Sequence, residues 1–100
     1  MSGPRAYAAS LELIKAAANR IAPYTKVTPV MTCSTLDALA GRNLHFKCEV
    51  FQKGGAFKAR GALNAVFSLT EDEAKKGVVT HSSGNHAGAL ALAAKTRGIP

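Results

Sequence analysis

Helical and strand periodicities alternate along this chain, and that alternation restricts it to a small set of folds. Residues 43–51 have period two: Leu44, Phe46, Cys48 and Val50 alternate with His45, Lys47 and Glu49, the pattern of a strand. Gly54-Gly55 breaks it. From Phe57 to Leu69 the period is helical, with Ala62, Leu63, Val66 and Phe67 on one face. Thr70 with Glu73 fits a capping box that starts a short helix, closed by Gly77. Val78-Val79-Thr80 is expected to be a short buried strand. After the turn Ser82–His86, a helix is predicted from about His86 to Thr96, ended by Gly98.

Upstream, Ser10 caps a predicted helix from Leu11 to Ile21, with Leu11, Ile14, Ala18 and Ile21 in helical register and Pro23 as the stop. Val27–Val30 is expected to be extended, because a residue before proline avoids the helical region. Ser34 or Thr35 opens a short helix through Ala40, ended by Gly41. The order helix, helix, strand, helix, helix, strand, helix suits an α/β fold with a parallel sheet and flanking helices.

Gly98-Ile99-Pro100 follows a helix at the place where the next strand of such a fold belongs. The pattern therefore predicts an incomplete α/β unit, the N-terminal piece of a longer chain. With 100 residues, 47% of them apolar, a core is attainable.

The formal charge of +7 raises nucleic acid as a partner, but the cations are dispersed. Lys75-Lys76 is the densest cluster, and no basic stripe alternates with aromatics, so no nucleic-acid partner is expected. Cys33 and Cys48 make no disulfide framework, and Cys48 is expected as a buried thiol. No apolar run spans a bilayer, and residues 1–9 lack a signal core, so the expectation is a cytoplasmic protein without a membrane partner.

Two runs carry chemistry. In the first, Glu49-Val-Phe-Gln-Lys-Gly-Gly-Ala-Phe-Lys58-Ala-Arg-Gly-Ala62, an amine follows a glycine pair at a helix start. The positive end of a helix dipole disfavours a cation, and Arg60 is expected to act in the same direction, so Lys58 is a candidate for a neutral amine that attacks an aldehyde. Gly54 and Gly55 allow backbone to approach a flat ligand, and Phe57 can cover a ring face. The alternative is a solvated surface lysine.

The second run, His81-Ser-Ser-Gly-Asn-His86, joins a strand to a helix, so backbone N–H groups and the side chains of Ser82, Ser83 and Asn85 can receive an anion. The alternative is a plain Ser/Asn cap. Other chemistries lack their patterns. No Gly-Lys-Ser/Thr follows the glycines, and His45, His81 and His86 lack metal-ligand spacing with the cysteines. Glu71 and Glu73 belong to a solvated helix start, and adjacent turn positions such as Ser83 and His86 rarely form a triad.

The stretch Phe51–Ala65 resembles the lysine motif of the serine racemase and serine/threonine dehydratase family, and Thr80–His86 resembles its asparagine loop. Thr28-Pro-Val30 and Gly41-Arg-Asn-Leu44 match in order and spacing. The resemblance runs from about residue 10 onward and is best for plant members.

It implies fold type II of the pyridoxal-phosphate enzymes, like the tryptophan synthase β chain. Residues 1–77 would form the N-terminal part of the large, cofactor-binding domain, and 78–100 the first strand-helix unit of the small one. Lys58 would hold pyridoxal 5′-phosphate, Phe57 would pack on its ring and Asn85 would hydrogen-bond its 3′-hydroxyl. Ser82, Ser83, Asn85 and His86 would hold the carboxylate of an amino acid, serine or threonine. Lys58 and Ser83 would act as bases on opposite faces, giving racemisation and elimination of serine to pyruvate and ammonia.

Ser34 and Lys53 match positions that touch ATP in animal members, whereas Lys15, Gly54 and Gly88 depart at effector or neighbouring positions. Any Mg2+ site and the phosphate-cradling loop of the family would lie downstream, so no metal site is expected here. The complete enzyme would be a homodimer. Two other readings stay open: a threonine/serine dehydratase without racemase activity, and a non-catalytic truncated product or basic binding module.

Overall fold

A computed structural model describes residues 6–100; the reading of residues 1–9 falls partly outside that range. Helix α1 (Leu11–Ile21) starts where the Ser10 hydroxyl accepts the Leu13 N–H at 3.2 Å. Strand β1 (Val30–Met31) leads into α2 (Ser34–Ala40), which ends at Gly41 with φ 62°, a left-handed conformation that glycine adopts without strain. α2 opens at Ser34, with Cys33 before it making no side-chain cap. The Asp37 carboxylate then accepts the Leu44 N–H at 2.8 Å and turns the chain back into β2 (Phe46–Lys47).

β1 and β2 pair antiparallel, with Val30 opposite Lys47 and Met31 opposite Phe46. The strand expected over 43–51 is therefore far shorter. Cys48 N–H still reaches the Pro29 carbonyl at 2.9 Å, but Pro29 has no N–H to return. The chain then winds into single turns at Glu49–Phe51 and Lys53–Gly55. Among the described residues no layer covers the alternating face: Phe46 and Val50 are exposed, and Cys48 is half-buried rather than buried.

Three helices follow: α3 (Lys58–Ser68), α4 (Glu71–Lys75) and α5 (Asn85–Arg97). The capping box at Thr70 forms in both directions, with Glu73 N–H to Thr70 Oγ1 at 3.2 Å and Thr70 N–H to Glu73 Oε1 at 3.0 Å. The core comprises Ile21, Ala62, Leu63, Val66, Ala89 and Ala93, flanked by Tyr24, Phe67 and Leu90. Ala59, Ala62, Ala89 and Ala93 present little more than backbone, so α3 and α5 approach closely. Tyr24 stacks on Phe67 with centroids 4.2 Å apart. Of the face expected on α1, Ile21 is buried while Leu11 and Ile14 stay exposed.

The expected parallel sheet does not form among the described residues, where the one ladder is the antiparallel β1–β2 pair. Val78–Thr80 forms no ladder, and Val79 is 94% exposed rather than buried. Val78 N–H donates to the Pro100 carbonyl at 2.9 Å, and Val78 and Ile99 both pack at the edge of the core. A strand of this kind needs partners on its edges. The neighbour present among the described residues is Ile99-Pro100, packed beside Val78.

The relative direction of α3 and α5 follows from their ends. Arg97, in the last turn of α5, donates to the Val66 and Leu69 carbonyls at the end of α3. α5 also packs on the Lys53–Gly55 turn that precedes α3. The two helices thus run the same way, and their N-termini lie at one end of the molecule.

Candidate active site

That shared end carries both runs singled out in the sequence. Lys58 is the first residue of α3, and Asn85 is the first of α5. The loop entering α3 is shaped by Gly54 and Gly55, with φ of 77° and 73°, values that side-chain-bearing residues rarely adopt. Lys58 is exposed, and no carboxylate lies within ion-pair distance of it among the described residues. Its Nζ sits 5.6 Å from the centroid of the Phe57 ring, which is itself exposed.

Arg60 does not act freely on Lys58, as the sequence suggested. Its Nε donates to Glu49 Oε2 at 2.8 Å and its Nη2 to Glu49 Oε1 at 2.7 Å, a two-pronged pair that compensates its charge. Thr28 Oγ1 donates to the same Oε1 at 2.6 Å. The Arg60 and Thr28 hydrogen bonds, in that order, hold the Glu49 carboxyl well below its ordinary value of 4.5, at about 2. The same bond raises the Arg60 pKa further.

Gln52, 3% exposed, is fixed from both ends of its amide. Oε1 accepts the N–H of Lys26 at 2.9 Å and of Lys53 at 3.0 Å, and Nε2 donates to the Lys26 carbonyl at 2.8 Å. Sequence reasoning missed Thr28, Glu49 and Gln52 as parts of the site. The partners that tie them across the chain, Arg60, Thr28 and Lys26, stand 11 to 26 residues away at no periodic spacing; the one local signal was the Thr28-Pro29 step that keeps residue 28 extended.

At the N-terminus of α5 the helix begins at Asn85, one residue before the expected start, with Gly84 as its cap. The Ser82 hydroxyl accepts the N–H groups of Gly84 and Ala87, each at 3.3 Å, and so serves as a cap itself. The N–H groups of Asn85 and His86 find no acceptor among the described residues. Ser83, Asn85 and His86 are exposed. Ser34 opens α2, and Lys53 lies in the turn before α3; these elements do not pack extensively on one another.

This donor set fits an aldehyde that bears an anion and is met by an amino acid. Lys58 offers a primary amine without a carboxylate partner. The free N–H groups at the start of α5, beside Ser83 and Asn85, can receive a carboxylate.

Comparison with known proteins agrees. Residues 21–100 match the family model described as pyridoxal-phosphate dependent enzyme. The chain is 63% identical over 94 residues to a serine racemase of Oryza sativa subsp. indica, which covers 94% of this chain and 28% of that protein. It is 54% identical over 94 residues to a beta-hydroxyaspartate dehydratase of Paracoccus denitrificans, covering 94% of this chain and 30% of the relative. The structure of maize serine racemase superposes with a TM-score of 0.90 at 61% identity, over 94% of this chain and 30% of the maize chain. The chain thus spans less than a third of the length of these relatives. With its fold, its lysine run and four-fifths of its length matched, the chain belongs to the pyridoxal-phosphate dependent enzymes.

Proposed function

We propose that this chain supplies the amine and part of the substrate cradle of a serine racemase that also eliminates water from serine. The observation that carries the reading is the alignment of α3 and α5, which brings Lys58 to the same end of the molecule as Ser83 and the free N–H groups of α5. Similarity to the rice and maize serine racemases supports it. In this reading Lys58 holds pyridoxal 5′-phosphate, Phe57 covers its ring and Asn85 donates to its 3′-hydroxyl. The cofactor, when bound, supplies an electron sink that acidifies the substrate α-carbon.

Ser82, Ser83, Asn85 and His86 orient the substrate carboxylate at the positive end of α5. The Lys58 amine takes the α-proton from one face. The Ser83 hydroxyl delivers a proton to the opposite face, which inverts the centre. When the β-hydroxyl leaves as water instead, hydrolysis of the product gives pyruvate and ammonia. Division at Gly77 into a large-domain piece (1–77) and a small-domain piece (78–100) belongs to the same reading, as does a homodimer of the complete enzyme.

A dehydratase without racemase activity is the second reading. It is favoured by the Paracoccus relative and by Ser83, whose hydroxyl has no hydrogen-bond partner among the described residues to assist proton transfer. Activation by ATP through Ser34 and Lys53, or by Mg2+, stands on less. Ser34 and Lys53 lie on elements that do not pack extensively, and a Mg2+ site would be built from residues downstream of these. Two free cysteines accord with a reducing compartment such as the cytoplasm, and among the described residues no helix is long and apolar enough to cross a membrane. The 100-residue chain alone is proposed to be inactive, since it carries 28% of the length of its rice relative.

The test places this chain in the maize enzyme in exchange for the matching segment. L-serine is supplied, and D-serine and pyruvate are measured by chiral chromatography and a coupled assay. Both products are expected, and both vanish with Lys58→Ala together with the absorbance of the lysine-bound cofactor. Pyruvate without D-serine establishes the dehydratase reading instead. Retention of covalently held cofactor in Lys58→Ala overturns the lysine assignment.

A further inference from the structure

Lys58 is carried by a loop with two left-handed glycines, yet that loop is fastened on both sides to one short segment, Lys26–Thr28. On the entering side, Gln52 acts as a surrogate backbone, bonding both the N–H and the carbonyl of Lys26. On the far side, Arg60 stands two residues after Lys58 and grips Glu49 with both prongs, while the buried Thr28 hydroxyl holds the same carboxylate at 2.6 Å. A fork-on-fork contact fixes rotation as well as distance, which a single-point ammonium contact does not. The glycines give the loop its shape but also give it freedom. Fastening on either side removes that freedom where the amine is presented.

We infer that Glu49, Arg60, Thr28 and Gln52 form a positioning clamp that sets the direction in which Lys58 presents its amine. None of the four has to touch cofactor or substrate; they act through the first turn of α3 and are positioning residues. The inference rests on the proposed role of Lys58 as the amine that receives the cofactor aldehyde.

The full chain is treated with pyridoxal 5′-phosphate, trapped with borohydride and mapped by peptide mass spectrometry, with amide hydrogen exchange read in parallel. The parent chain traps at Lys58 in preference to the exposed lysines Lys75, Lys76 and Lys95. Glu49→Gln and Arg60→Lys each lower that preference roughly tenfold, as a displaced reacting group would. Exchange speeds up at the Arg60 amide, which bonds the Phe57 carbonyl at 3.2 Å, and stays unchanged around Ala93 in α5. Combining Glu49→Arg with Arg60→Glu restores part of the preference, and Thr28→Val gives a smaller drop in the same direction. Asp72→Asn, which breaks an exposed pair far from the loop in sequence, changes nothing.

A parent chain with no preference for Lys58 overturns the cofactor reading and the clamp with it. A preference that survives both single variants overturns the clamp and leaves the cofactor reading standing. If a single variant also loses protection around Ala93, it has unfolded, and the charge exchange and Thr28→Val decide.

Discussion

The guanidinium of Arg97, in the last turn of α5, donates to the Leu69 carbonyl at 2.9 Å, just past the end of α3. The same group reaches the Val66 carbonyl and lies 5.9 Å from the Phe67 ring centroid, and its side chain is 13% exposed. It satisfies the Leu69 carbonyl beyond the helix end and adds a second donor to the Val66 carbonyl, which also accepts the Leu69 N–H at 3.3 Å. Arg97→Met keeps the stem and loses these bonds, so unfolding by urea is expected to show a loss of about 2 kcal/mol. Glu71→Gln, which removes only the exposed partner at 3.2 Å, changes stability by less than about 0.5 kcal/mol.

Stability also depends on pH through Glu49. Its carboxyl is held at about 2 when folded against an ordinary 4.5, so the unfolded chain binds more protons between those values. The contribution is fully present above 4.5 and is lost as pH falls toward 2. Urea midpoints followed from pH 6 to pH 2 fall through that window in the parent chain. Glu49→Gln flattens most of the fall. A residual slope of the same sign remains from Glu73, which its bonds to Thr70 also hold below the ordinary value.

Ser82→Ala separates a cap from a substrate contact. Removing the hydroxyl leaves the Ala87 and Gly84 N–H groups without their 3.3 Å acceptor and costs about 1 kcal/mol in urea unfolding. Should stability stay unchanged, the capping role is wrong, and any loss of activity in the maize exchange belongs to substrate binding.

The α3–α5 seam tolerates neither holes nor excess. Leu63 is fully buried, so Leu63→Ala costs about 2–5 kcal/mol. Ala93 is equally buried where the helices approach, so Ala93→Leu forces them apart and costs about 1–3 kcal/mol. Both are read from thermal or urea unfolding, and Ala65→Leu, on the exposed side of α3, serves as a neutral control.

Ser83→Ala in the maize exchange tests the two-base scheme. D-serine formation is expected to fall by about 100-fold or more, the usual loss when an acid–base group is removed, while pyruvate from L-serine persists. An equal loss of both products argues against proton delivery by Ser83.

Much of the local structure was legible because its causes are local. Ser10 at the start of α1, the reciprocal pair Thr70 and Glu73, and the left-handed glycines Gly41 and Gly98 at helix ends each act within a turn or two of chain. The reading went wrong where a pattern needed a partner surface. Leu44–Val50 alternates as a strand should, yet Pro29 opposite it ends the ladder and no layer among the described residues covers its face. Val78–Thr80 has the composition of a buried strand, yet only Val78 meets the core and Val79 faces outward.

By itself the sequence determined the lysine behind two glycines, the hydroxyl- and amide-rich turn, and the helices that each of them starts. Only the tertiary structure decided that these starts share one end of the molecule. Arg97 reaches back 28 residues to Leu69, and the α5 helix lies against the Lys53–Gly55 turn. It also decided that Arg60 serves Glu49 rather than Lys58, and that Gln52 holds a backbone 26 residues away. Contacts of that span depend on how the chain returns on itself, which closely spaced residues cannot encode by periodicity.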